Sequence, residues 1–251
     1  MNGIELPTSI KILNNNTFIE NNINTITIPN SVTSIGSYAF YDCSSLRNIT
    51  IPNIVEIIGR HVLFGKTRLI GIRLPESIKT LNDNPFIEHN VNTFIIPNSV
   101  TEIGENTFSG CPSLINIAIP NSVTEIGSYA FSGCSSLLSV MIPNSITEIG
   151  SYAFSGCSSL LRIIIPNNVI EINDGTFSQC FSLINVTIPN SVKKIGKKAF
   201  SECLSLAKLK IPNSAIEIDE NAIPDNCKLI IIKEKSKFKD LISYFIDRTS
   251  F

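Results

Sequence analysis

The chain has 251 residues, 43% of them hydrophobic, with a formal net charge of −1 and a sequence pI of about 6.2. That balance excludes a general electrostatic attraction to nucleic acid or an anionic membrane, so a partner must be recognised by local surface. The apolar runs are a few residues long, far short of the roughly 20 that span a bilayer.

The start, MNGIELPTSIKIL, lacks the basic segment, apolar core and small-residue cleavage site of a secretory signal. These features predict a chain with no membrane span that stays inside the cell, or a processed piece of a longer protein.

One unit, NSVTEIGSYAFSGCSSLLSVMIP, occupies 121–143 and returns with few changes at 144–166. Its proline recurs as Pro7, Pro29, Pro52, Pro75, Pro97, Pro120, Pro143, Pro166, Pro189 and Pro212, at steps of 23 residues except for two steps of 22. Self-similarity at such a period predicts a solenoid, because each unit can bury its apolar face only against its neighbours. The expected organisation is one repeat domain of about ten turns over 1–228, then a final strand and a capping helix within 229–251. The chain opens mid-repeat, with Ile4 and Leu6 in the last two inward strand places. No polar cap precedes them, which leaves room for end-to-end pairing there.

Before each proline stands a short alternating strand such as Ile49-Thr50-Ile51, Ile117-Ala118-Ile119 or Val186-Thr187-Ile188. Residues three and one before the proline face inward, residues four and two before it face outward, and the proline ends the ladder. A second apolar pair follows, as in Val32 and Ile35, Val123 and Ile126, or Ile146 and Ile149. Next stands Gly36, Gly59, Gly104, Gly127, Gly150 or Gly196, replaced in other turns by Asn14, Asn82, Asn173 or Asp219. These residue types enter positive φ at least cost, which predicts a left-handed corner at this position.

An interior aromatic comes four residues later, from Phe18 and Phe40 through Phe86, Phe108, Phe131, Phe154 and Phe177 to Phe200, with Leu63 and Ile223 as exceptions. Truncating one would cost about 3–5 kcal/mol. Each turn closes on a leucine, or on Ile23 and Val91 in the two short turns. Cys43, Cys111, Cys134, Cys157, Cys180 and Cys203 share one repeat position, where Lys66 and His89 stand in other turns. Side chains stacked in parallel make poor disulfide geometry, so these thiols are expected to be small buried apolar groups. Over 219–227 the turn is altered, a strand follows at 229–232, and Phe238, Leu241, Ile242 and Phe245 fall at helical spacing within 237–246, with Ser236 as a candidate cap.

The units at 117–137 and 140–160, of the form I-x-I-P-N-S-V-T-E-I-G-S-Y-A-F-S-G-C-S-S-L, resemble the BspA-type leucine-rich repeat, also called the Treponema pallidum type. The resemblance covers nearly the whole chain. It implies a curved solenoid with a parallel sheet on one side and tight turns or short strands on the other. It also implies a non-catalytic binding protein, of a kind found on surfaces of host-associated bacteria and in some protists and associated with adhesion.

Catalysis is not expected and no cofactor or metal is called for. His61 and His89 differ in repeat register, and no Ser/His/Asp, HExxH, CxxC or phosphate-cradling motif is present. His61 reads as an exposed corner residue. The outward strand positions are the better candidates for binding a protein partner, being released from core packing. Two residues before the proline run Thr27, Thr50, Arg73, Ile95, Ala118, Met141, Ile164, Thr187 and Lys210; five before it run Ile115, Leu138, Leu161 and Ile184.

If both rows are exposed they form a contiguous apolar patch edged by Arg73, Arg162, Lys208 and Lys210. Should the second row tuck into the strand entry, only Met141 and its neighbours show. Secondary candidates are Tyr38, Tyr129 and Tyr152, which share a corner position. The in-register row Glu102, Glu125, Glu148 and Glu171 could draw a cation or a basic partner, although its continuation as Lys194 and Glu217 favours a solvated face. Sequons at Asn15, Asn48 and Asn185 matter only in a secretory pathway. Two roles fit these features: a surface adhesin, by resemblance, and an intracellular scaffold or effector-like module.

Overall fold

The computed structural model describes residues 3–63, 65, 68–69, 71–81, 92–215 and 217–232. Two kinds of parallel strand alternate along the chain. The first sheet, built of four ladders with breaks after Asn48–Thr50, Ser139–Met141 and Asn185–Thr187, holds Gly3–Glu5, Thr25–Thr27, Asn48–Thr50, Gly71–Arg73, Thr93–Ile95, Asn116–Ala118, Ser139–Met141, Arg162–Ile164, Asn185–Thr187, Lys208–Pro212 and Lys228–Ile232. The second is made of two-residue strands, among them Ser34–Ile35, Glu102–Ile103, Glu125–Ile126, Glu148–Ile149, Glu171–Ile172 and Lys194–Ile195. Pairing always joins equal repeat positions, as in Asn116 with Ser139 and Glu125 with Glu148. A slip of one residue would turn every inward side chain out, so the repeat pattern and the register enforce each other.

A third side links the two sheets and is also hydrogen-bonded from turn to turn. The N–H of Phe108 donates to the Ala130 carbonyl at 2.7 Å, Phe131 to Ala153 at 2.7 Å, and Phe177 to Ala199 at 2.8 Å. Turn-to-turn backbone hydrogen bonds thus run along all three sides of the coil, pairing groups that a narrow core would otherwise leave unmet.

Inside, the expected rows are buried together: Val32, Ile35, Phe40, Cys43 and Leu46 in one turn, Val123, Ile126, Phe131, Cys134 and Leu137 in another. The phenylalanines form a spine of nearly parallel rings, with centroids 5.2 Å apart for Phe108 and Phe131, 5.1 Å for Phe131 and Phe154, and 5.6 Å for Phe154 and Phe177. Leu63 is buried in the same row and Ile223 packs against the core. Phe86, Lys66, His89, Val91, Ser236 and the segment 237–246 lie outside the described residues.

Two expectations are corrected. The left-handed corner is not at the repeated glycine but two residues later, where Tyr38, His61, Asn106, Tyr129, Tyr152, Lys198 and Asn221 have φ between 50° and 58° and Gly175 has 59°. The glycine serves close approach instead: a Cβ on Gly150 would lie 2.4 Å from the Ser128 nitrogen, and one on Gly127 2.6 Å from the Gly104 carbonyl carbon. The thiols at the shared repeat position are buried and in no disulfide among the described residues, as expected, and they also donate hydrogen bonds. The Sγ of Cys134 donates to the Phe108 carbonyl at 3.2 Å, Cys157 to Phe131 at 3.2 Å and Cys203 to Phe177 at 3.1 Å. Pro212 is the last residue of a five-residue strand paired with Lys228–Ile232, so the ladder closes on the proline there. The second correction is His61, which is half-buried rather than exposed, its ring 5.2 Å from that of Tyr38.

Candidate functional site

Strand alternation places two outward positions on each strand of the first sheet, and the loop entering the strand adds a third exposed row. Met141 is 82% exposed, Ile164 65% and Ile95 59%, while Leu138, Leu161 and Ile184 of the entry row are 46%, 40% and 49% exposed. Ala118 is exposed and Ile115 half-exposed. Both apolar rows therefore face solvent.

They do not merge into one patch. Along every strand the outward residue four before the proline lies between them, and in this stretch that residue is Asn116, Ser139, Arg162 or Asn185. The Ser139 hydroxyl donates to Asn116 Oδ1 at 3.3 Å. The surface is thus two apolar rails with a polar seam between them, a separation that the alternation implied but that counting the rows alone obscured.

Arg73 stands at one end of the face and pairs with Glu76 at 3.8 Å, with both side chains well exposed. Lys208 and Lys210 stand at the other end, beside Lys228 in register with Lys208. Such rim charges set orientation and association rate more than affinity.

The tyrosines lie apart from this face, at the left-handed corner. Tyr129 and Tyr152 stack on one another with centroids 5.1 Å apart and planes 4° from parallel. Beyond Tyr152 comes Gly175, where an added Cβ would lie 2.2 Å from the Tyr152 ring. Ring faces are thereby used within the corner itself, leaving edges and hydroxyls at the surface.

On the second sheet Glu102, Glu125 and Glu148 are paired in register. Partial burial, then repulsion from Glu148 and Glu102, raises the Glu125 carboxyl above its ordinary range. Lys194 relieves the far end of the row, at 3.0 Å from Glu171 and 3.8 Å from Asp219. Its own pKa is raised, first by the hydrogen bond to Glu171.

Among the described residues no group of three or more His, Cys, Asp or Glu side chains is arranged to hold a metal ion. Burial pushes the thiols of Cys43 and Cys134 up to about 11 and about 12. Such a thiol is a poor nucleophile. No helix of the described residues is long and apolar enough to cross a membrane.

Comparison with known proteins places this architecture. Solved structures similar to the chain include a leucine-rich repeat protein from Bacteroides ovatus, 28% identical over 91% of this chain and 59% of that one, with a TM-score of 0.75. The chain thus spans about 59% of the length of that relative. The pneumococcal vaccine antigen PcpA matches at 18% identity over 94% of this chain and 68% of its own, with a TM-score of 0.56, a likeness of fold. A leucine-rich repeat protein of T. pallidum is 26% identical over 82% of this chain and 78% of its own, with a TM-score of 0.43. No curated protein matches the chain significantly. The family model for the BspA-type leucine-rich repeat region matches in six copies over residues 1–115, 101–231 and 171–247. A parallel solenoid whose core rows, register and repeat motif all agree with that match leads to one conclusion: the chain belongs to the BspA-type leucine-rich repeat family.

Proposed function

We propose that this solenoid is a non-catalytic interaction module that binds a protein partner through the outward face of its first sheet. Leucine-rich repeat proteins generally serve as protein-interaction modules. The observation that carries the reading is the exposure of Met141 and Ile164 on strands whose alternate residues, Val140 and Ile163, are buried. Large apolar side chains held out in adjacent turns present a surface that a partner gains by covering. Ile95, Ala118 and Arg162 continue that surface, and Arg73 and Lys210 bound it. Tyr38, Tyr129 and Tyr152 are secondary contacts.

The family resemblance favours a surface adhesin, and the buried reduced thiols fit an intracellular scaffold equally well. The test is an affinity capture from intracellular lysate and from host extracellular proteins, comparing the wild type with a Met141→Glu, Ile164→Glu double variant. Loss of a specific partner with an unchanged melting temperature supports the strand face, and the extract that supplies the partner decides between the two roles. An unchanged set of captured proteins would sink the assignment.

A further inference from the structure

A net charge of −1 conceals a strong division between the two sheets. The outward positions of the first sheet carry Arg73, Arg162, Lys208, Lys210 and Lys228 against one carboxylate, Glu5 of the first strand. The outward row of the second sheet carries Glu102, Glu125, Glu148, Glu171 and Glu217 against Lys194. The binding face is thus the cationic one, and its cations border the apolar rails.

Arg162 is the central case. Leu161 precedes it and Ile164 follows two residues later, both exposed. Its counterparts in the turns before and after are Ser139 and Asn185, both uncharged. Among the described residues no carboxylate lies within ion-pair distance of it. A guanidinium framed by apolar surface is a surface that a carboxylate can engage through two hydrogen bonds while its apolar neighbours exclude water.

Resting on the strand-face reading, we infer that the occupant is an acidic protein segment in which Asp or Glu side chains are interspersed with apolar ones. The carboxylates meet Arg162 in the seam and the lysines at the rim; the apolar side chains lie on the rails. A nucleic acid fits this face poorly. It would want stacking aromatics and a dense run of cations, and the outward positions of this sheet hold no aromatic residue.

The probe is a random peptide library displayed on phage and selected on the full chain, with enriched peptides synthesised and titrated by fluorescence anisotropy. A single-stranded oligonucleotide and phosphatidylserine vesicles are titrated in parallel. The expected peptides carry net negative charge together with aliphatic or aromatic residues, and bind more weakly as salt rises. They lose about tenfold or more in affinity to Arg162→Glu, less to Arg162→Lys. Arg162→Gln replaces the Glu variant if that one melts early.

The two ideas fail separately. Neutral or basic peptides that still depend on Met141 and Ile164 would overturn the acidic partner and leave the strand face standing, whereas peptides indifferent to all these variants would overturn both. Tighter binding of the oligonucleotide or vesicles, self-association abolished by Arg162→Glu, or an empty selection would also overturn the inference.

Discussion

Replacing Gly150 by alanine separates two reasons for a glycine that the repeat presents side by side. The φ of Gly150 lies outside the left-handed region, yet its added Cβ would lie 2.4 Å from the Ser128 nitrogen, 2.7 Å from the Gly127 carbonyl carbon and 2.8 Å from the Ser128 Cα. Reaching ordinary contact near 3.4 Å requires the two turns to part by about 1 Å. The strain falls on the hydrogen bond from the Gly150 N–H to the Ile126 carbonyl, now 2.7 Å long. The obstacle is the backbone of the preceding turn and cannot swing away, so the cost belongs at the top of the overpacking range, about 3 kcal/mol.

Gly156 poses the opposite problem: φ is +72°, but a Cβ would have 3.5 Å to the Gly133 Cα and nitrogen. There alanine costs only the left-handed penalty, roughly 1–2 kcal/mol. For a chain of this size 1 kcal/mol moves the melting temperature by roughly 2–4 °C. Gly150→Ala should therefore melt roughly 6–12 °C below the wild type and below Gly156→Ala in a far-UV circular dichroism melt. Asparagine at 156 should recover part of the loss there, because it enters the left-handed region more readily. If Gly150→Ala melts within about 2 °C of the wild type, or above Gly156→Ala, the close-approach argument is wrong.

Two further outcomes follow from the buried and repeated charges. Because the folded thiols of Cys43, Cys134, Cys157 and Cys180 are raised above their unfolded value by burial, or for Cys180 first by its hydrogen bond with Cys203, the folded state holds protons that the unfolded chain releases. The contribution of the thiols to stability should be flat below pH about 8 and fall as pH climbs through about 9 to 11, and a variant with alanine at 134, 157 and 180 should lose much of that slope in urea titrations repeated across pH. Glu125→Gln should raise the melting temperature at low ionic strength, since it removes the middle charge of the Glu102, Glu125 and Glu148 row, and the gain should shrink in high salt; a gain independent of salt would mean that repulsion is not its source.

The candidate face was half legible in the sequence. Met141, Ile164 and Ile95 follow from strand alternation alone, because the residue between two buried ones must point out. The entry row of Leu138, Leu161 and Ile184 was undetermined, since a residue at the mouth of a strand has no fixed side. Its exposure depends on how the preceding corner aims the chain. Tyrosine at the corner hid the left-handed position in the same way, because a bulky residue there disguises the Asn16, Asn106, Gly175 and Asn221 that share its place in other turns.

What the amino-acid sequence determined by itself is everything that repeats within one turn: the strands, the inward rows, the phenylalanine spine and the stacking of equal positions. Each turn has the same environment as the next, so ten statements of one pattern outweigh the ambiguity of any single segment. Only the tertiary structure decided what depends on the distance between turns. That includes the glycines chosen for backbone contact rather than for φ and the thiols that donate across to the phenylalanine carbonyl of the preceding turn. Those features arise where one turn meets another some 4.8 Å away, and no spacing along the chain measures that gap.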